Sequence, residues 1–526
     1  MSAHELVLRG GVLVDGTGAG SVPADVAVDG GRVTDVVPHR RGTDRPEGHR
    51  VIDTDGCVIA PGFIDLHSHA DFSLQGWPAA TSQLPQGVTT LLGGNCGWSP
   101  FPVADLAELR ASTAFFDPEL SWEWTDGGGF AAAVDAVRPA VNLALQAGHS
   151  SLRLAAMGGD ERPAAGDDIA RMDALLAAAA GDGAHGFSTG LIYAPGAYAD
   201  AAEVRALVAA AARHGLLYST HIRNESDRLT AAVTEAVDAA EAAGARVQIS
   251  HLKAMGRAHH GTVSAALELI DDAAARGVDI AADVYPYTAS STTLTARLPG
   301  WAMDGGPTGL LRRLADPPER DRLAAELRAR IRLDADDVVI AELGEGPYRD
   351  AVGSSIGDVA RRDGVDAAET TLRVLEAHDA AVAVVNHGMS EDDVATVLRH
   401  PRVAVASDGW VLRPSGSGRP HPRSFGTFPR VLGRYVREQG VLTLPEAVRK
   451  MTSLPASRLG LHDRGVVTPG AVADVVVFDP DTVADRATFK DPWRLAEGVR
   501  TVLVTGEVAL DDGEITDVRA GRVLRA

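Results

Sequence analysis

From residue 61 to about 464, short apolar runs alternate with alanine-rich stretches at helical spacing. Nothing else in the 526-residue chain narrows its fold as much. The runs are GVTTLLGGN, VNLALQAGH, GFSTGLIY, LLYSTHI, RVQISHL, VDIAADVYPY, AAVAVVNHG and VAVASDG, with helical segments such as AAEVRALVAAAARHG between them. Strand-then-helix units imply parallel strands joined by right-handed crossovers. About eight such units favour a closed (β/α)8, TIM-like barrel over an open sheet. The stretch from about 290 to 347 breaks the rhythm with Pro, Gly, Trp301 and a charged helix, and reads as a lid-like insertion after a barrel strand. The two ends differ from this middle. Residues 1–60 and 465–526 alternate apolar and polar residues around Gly-rich turns, which predicts one small β-sandwich domain built from both ends.

Charge and cysteine usage narrow the function classes. A formal charge of −21 offers no general attraction to nucleic acid or to an anionic membrane, so neither is expected as a partner. The N-terminus MSAHELVLRGG has no signal-peptide pattern, and no apolar run is long enough to span a bilayer. Two cysteines, Cys57 and Cys96, exclude a disulfide framework and suit a reducing compartment. The expectation is a cytoplasmic enzyme of unspecified oligomeric state. Only three lysines are present, Lys253, Lys450 and Lys490, so chemistry that needs one has few to draw on.

In a barrel of this kind, reactive side chains belong at the C-terminal ends of the strands. His67 and His69 stand two apart in APGFIDLHSHAD, hence on one face of a strand end, where two imidazoles can share a metal ion. Cys96 follows the second strand, His221 ends LLYSTH, His251 ends RVQISH, and Asp408 ends VAVASD. Taken singly, each is ordinary: a buried thiol, a rim histidine, a turn aspartate. Together on one rim they point to function. His149 and His387 also end strands and are reserve candidates, while Cys57 is assigned to packing.

These stretches, together with HGFSTGLIYAPGAYAD, YSTHIRNESD, ISHLKAMG, DVYPYTASSTTL and HPRSFGTFPRVLGRYVRE, resemble the amidohydrolase superfamily, and within it the N-acyl-D-amino-acid deacylases (D-aminoacylases). The resemblance implies a tightly held Zn2+ on Cys96, His221 and His251, and a second, weaker metal position at His67, His69 and Asp408. Three protein ligands leave room for a water whose pKa zinc brings towards ~7. Asp408 would act as general base and then acid, giving a carboxylic acid and a free D-amino acid. The resemblance further implies that Arg423, with Tyr285 and Ser291, receives the substrate carboxylate; Lys253 is expected to read either that carboxylate or the substrate's side chain. The loop before Arg423 is longer than in the D-aminoacylases it resembles, so Arg413 and Arg419 compete for that role. Related cyclic-amide hydrolases carry a bridging lysine at the end of the fourth strand. GFSTGLIY has none, which weakens a dihydroorotase or hydantoinase reading. Two alternatives stand beside the deacylase: a dipeptidase or other small-amide hydrolase with the same site, and a non-catalytic scaffold.

Overall fold

The computed structural model describes residues 3–40, 44–116, 119–330 and 335–526. Eight parallel strands form the central sheet: β1 (Phe63–Asp65), β2 (Val88–Gly93), β3 (Asn142–Gly148), β4 (Gly186–Gly190), β5 (Leu217–His221), β6 (Val247–Ile249), β7 (Ile280–Val284) and β8 (Val403–Val405). Each pairs with the next in sequence order. The ends then meet: Ser68 bridges Gly409, the Asp408 amide donates to the His67 carbonyl at 2.7 Å, and the His69 amide donates to the Gly409 carbonyl at 2.8 Å. The expected barrel is therefore present and closed. Buried Asp65 fastens the seam, accepting hydrogen bonds from both the amide and the hydroxyl of Ser407.

The outer helices follow from their sequence. Helix Ala201–Arg213 between β4 and β5 buries Val204, Leu207, Val208 and Ala211, the i, i+3, i+4, i+7 stripe of a helix packed on a sheet. Asp200 starts it by accepting from the amides of Ala202 and Glu203, an N-cap worth about 1 kcal/mol.

The chain ends supply a ten-stranded, mostly antiparallel sheet from residues between 4 and 61 and between 475 and 515. Period-two alternation explains how it serves two cores. Val475, Val477 and Leu503 pack with Leu6, Leu8 and Val26 inside this unit. Val476, Phe478, Val502 and Val504 face the other way and join the barrel core. Cys57 is buried in the first of these cores, as a packing residue.

One strand lies elsewhere than the sequence suggests. AAVAVVNHG forms Ala383–Asn386, the centre of a three-stranded antiparallel sheet between Ser290–Thr293 and Val338–Glu342. β7 pairs directly with β8, so the excursion between them runs well past residue 347, taking in the helices Ile356–Asp363 and Ala367–Ala377. A short buried apolar run looks the same in a barrel and in a small covered sheet, which is why the two could not be told apart by pattern. The excursion has its own core, including Leu310, Leu327, Ile340 and Leu372.

Candidate functional site

The C-terminal strand ends of the barrel open into a cavity of about 810 Å³, roofed by the β7–β8 excursion. At its floor the thiol of Cys96 sits among imidazoles. Its Sγ lies 3.3 Å from His67 Nε2, 3.4 Å from His251 Nε2 and 3.7 Å from His221 Nδ1. Asp408 Oδ1 is 3.1 Å from His69 Nε2 and 3.4 Å from His67 Nε2. All six predicted metal-site residues are thus gathered, in two overlapping groups that share Cys96: Cys96, His221 and His251, and His67, His69, Cys96 and Asp408. Within each group the donor atoms lie within 4.8 Å of one another, all on buried residues.

The local backbone shows why these atoms converge. Cys96, His251 and Asp408 leave their strands with φ of 54°, 35° and 51°, a left-handed turn that L residues seldom adopt and that recurs at functional sites. Gly190 on β4 pairs with His221, at the level where related hydrolases place their lysine. A Cβ there would lie 2.0 Å from the Cys96 carbonyl oxygen, so no side chain fits.

The charges are mutually dependent. Burial opposes ionisation of Cys96, but charge on His67 and His251 and hydrogen bonds from His221 and His251 hold its thiol well below the usual range. Burial likewise opposes the Asp408 carboxylate, and Arg423, then His69, hold it well below the ordinary value. His69, despite its burial, is raised to about 9 through its bond to Asp408. A thiolate among imidazoles, whose protons a bound cation would displace, is a donor set suited to zinc.

The residues expected at the substrate are near, with distinctions. Arg423 is fully buried behind the cavity wall: Nη1 is 2.8 Å from Asp408 Oδ2, and the guanidinium lies 4.9 Å from the Tyr285 ring. Arg413 instead stacks on Trp77 at 4.6 Å, and the Arg419 side chain packs against Gly353. Of the three arginines, only Arg423 touches Asp408. Tyr285, Ser291 and Lys253 line the cavity, and the Ser291 carbonyl accepts from Arg423 Nη2 at 3.4 Å. The reserve histidines are engaged elsewhere: His149 is 2.8 Å from Glu203, and His387 packs on the Phe489 ring.

Three groups escaped the sequence reading. Asp283, near the end of β7, reaches His67 Nδ1 at 3.3 Å, and the strand-end rule applied to VDIAADV would have found it. Glu225, four residues beyond His221, contacts both His221 and His251. Arg297, from the excursion, lines the cavity with no acceptor or carboxylate partner among the described residues, and burial alone lowers its pKa.

Comparison with known proteins agrees with this geometry. The sequence pattern of the amidohydrolase family matches residues 50–510. The chain belongs to the amidohydrolase family. It is 37% identical to an N-acyl-D-glutamate deacylase of Alcaligenes xylosoxydans xylosoxydans, over 99% of this chain and 96% of that protein. A D-aminoacylase and an N-acyl-D-aspartate deacylase of the same organism are 35% and 33% identical, each over 99% of this chain and 97% and 95% of their own. Among solved structures, the N-acyl-D-glutamate deacylase of Bordetella bronchiseptica, complexed with zinc and a phosphonate mimic of the tetrahedral intermediate, aligns with a TM-score of 0.85 at 37% identity, covering 100% of both chains. A D-hydantoinase, 16% identical with a TM-score of 0.53, shares the fold alone.

Proposed function

We propose that this amidohydrolase is a zinc-dependent N-acyl-D-amino-acid deacylase. The observation that carries the reading is the convergence of Cys96, His67, His221 and His251 beside Asp408 on one barrel floor. Cys96, His221 and His251 would hold the tight ion, with His67, His69 and Asp408 as a weaker second position. When bound, zinc supplies Lewis acidity, polarising the amide carbonyl and bringing the pKa of a water towards ~7. Asp408 takes the proton of the attacking water at Oδ1 and returns it to the leaving nitrogen. Its other oxygen, held by Arg423 Nη1, keeps the carboxylate aimed across the cavity floor. Tyr285, Ser291 and Lys253, on the cavity wall, meet the substrate's α-carboxylate first, and Arg423, buried behind them, joins with the donors that Asp408 leaves free once the wall side chains turn aside.

Substrate preference follows from Arg297. A guanidinium on the cavity wall with no carboxylate partner among the described residues favours a substrate that brings its own, hence an acidic D-side chain. Two relatives, deacylases of N-acyl-D-glutamate and of N-acyl-D-aspartate, fit that chemistry. The cavity volume also favours acyl groups larger than acetyl, including the aminoacyl half of a dipeptide ending in a D-residue. We further propose the division at residues 60 and 465, and a cytoplasmic setting without nucleic-acid or membrane partners. Two buried free cysteines support that setting, and no described helix is long and apolar enough to cross a membrane.

The test is a zinc-replete assay of paired N-acetyl-D and N-acetyl-L amino acids with metal analysis of the purified protein. The expected result is about one zinc or more per chain and turnover of D-glutamate or D-aspartate derivatives, with the L forms inert. A metal-free protein that hydrolyses none of them would leave a scaffold.

A further inference from the structure

The loop after β5 carries a carboxylate with three basic neighbours and no role in the reaction as derived. Glu225 Oε1 lies 2.5 Å from Lys253 Nζ and 3.0 Å from His251 Nδ1, and Oε2 lies 3.6 Å from His221 Nε2. Its side chain is only 11% exposed. The nitrogens it faces are the ones turned away from Cys96, since His251 presents Nε2 and His221 presents Nδ1 to the thiol. A histidine that gives one nitrogen to a metal carries its proton on the other and needs an acceptor there. Here the carboxylate stands within reach of the outer nitrogen of His251, while that of His221, at 3.6 Å, feels its charge without a hydrogen bond. Lys253 Nζ donates to His251 Nδ1 at 2.8 Å, so a metal on Nε2, which leaves the imidazole proton on Nδ1, would turn both donors onto Glu225.

We propose that Glu225 is a positioning residue that fixes the metal-binding tautomer of His251 and pins Lys253 to the cavity wall. The proposal rests on the zinc-deacylase reading and gives it a structural corollary: the tight metal and the lysine at the substrate end are braced by one side chain. Loss of Glu225 would then loosen both, whereas loss of Lys253 would affect only substrate binding.

Zinc affinity of the full-length protein, measured by competition with a chromogenic chelator, separates these roles, with kcat and KM as second readouts. Glu225→Gln should weaken zinc binding about 10- to 100-fold, the range for removing a carboxylate behind a metal-bound histidine, and also raise KM. Glu225→Asp should recover part of both. Lys253→Met should raise KM and leave zinc affinity within about threefold of wild type. Equal zinc affinity in wild type and Glu225→Gln, with the metal-free melting temperature unchanged, would overturn the bracing role while leaving the deacylase reading intact. Wild type that binds no zinc at all would overturn both.

Discussion

The floor and the roof of the cavity are built by opposite means. The floor is a set of strand ends, and neighbouring strands in a closed barrel hold each other in register, so Cys96, His221, His251 and Asp408 are brought together by the same ladder that makes the core. The roof is the β7–β8 excursion, with its own small sheet and its own core, touching the floor at points such as the 2.9 Å hydrogen bond between Tyr193 and Thr292. The floor is therefore suited to fixed chemistry. The roof, built on its own core rather than on the barrel ladder, is suited to setting which substrate fits.

Four substitutions probe that division, taken from the largest effect down. Asp408→Asn removes the proton carrier on the floor and should lower kcat by ~10²–10⁴-fold with zinc retained; a near-normal rate would remove Asp408 from the mechanism. Arg423→Lys, at the back of the floor, should raise KM by more than ~10-fold, because an ammonium cannot reproduce the fork. Neither Arg413→Lys nor Arg419→Lys should do so, and an equal effect from either would mean that the long loop moves in solution. Arg297→Leu, on the roof, should cut kcat/KM for N-acetyl-D-glutamate by ~10-fold or more yet spare N-acetyl-D-leucine, a lost ion pair of a few kcal/mol at most in a half-open site. If both substrates fall together, the roof is part of the catalytic machinery and the division fails. Thr292→Val removes only the Tyr193 contact and should change kcat less than about threefold, the scale of one neutral hydrogen bond.

How far the sequence revealed all this depends on periodicity. His67 and His69 could be read because they directly follow an apolar strand-like run, although the strand itself stops at Asp65, and Cys96, His221, His251 and Asp408 because each stands where such a run stops. Asp283 obeyed the same rule and could have been read. Glu225 and Arg297 could not, since each lies on irregular backbone whose course depends on distant packing: Glu225 on the loop after β5, Arg297 just beyond a strand whose partner arrives some ninety residues later. The same non-local pairing hid the true place of AAVAVVNHG. The competition among Arg413, Arg419 and Arg423 was likewise undecidable from loop length, and of the three only Arg423 stands against Asp408.

The left-handed turns at Cys96, His251 and Asp408 have a measurable counterpart. Each such turn costs roughly 1–3 kcal/mol in an L residue, and glycine removes most of that cost. Cys96→Gly should therefore be about 1 kcal/mol more stable than Cys96→Ala in the metal-free state, read as a higher midpoint in urea. Equal midpoints would mean that the turn carries little strain.

The seam between β1 and β8 has a consequence for how the protein is made. His69 and Asp408 meet across 339 residues of sequence. A chain emerging from the ribosome carries Cys96, His221 and His251 early, and they could gather on a partial barrel while the final strand is still being synthesised. The His67–His69–Asp408 group has no such early form, because one of its members arrives only with that strand. The second position is completed by the same event that shuts the cylinder, which makes its occupancy a reporter of finished folding.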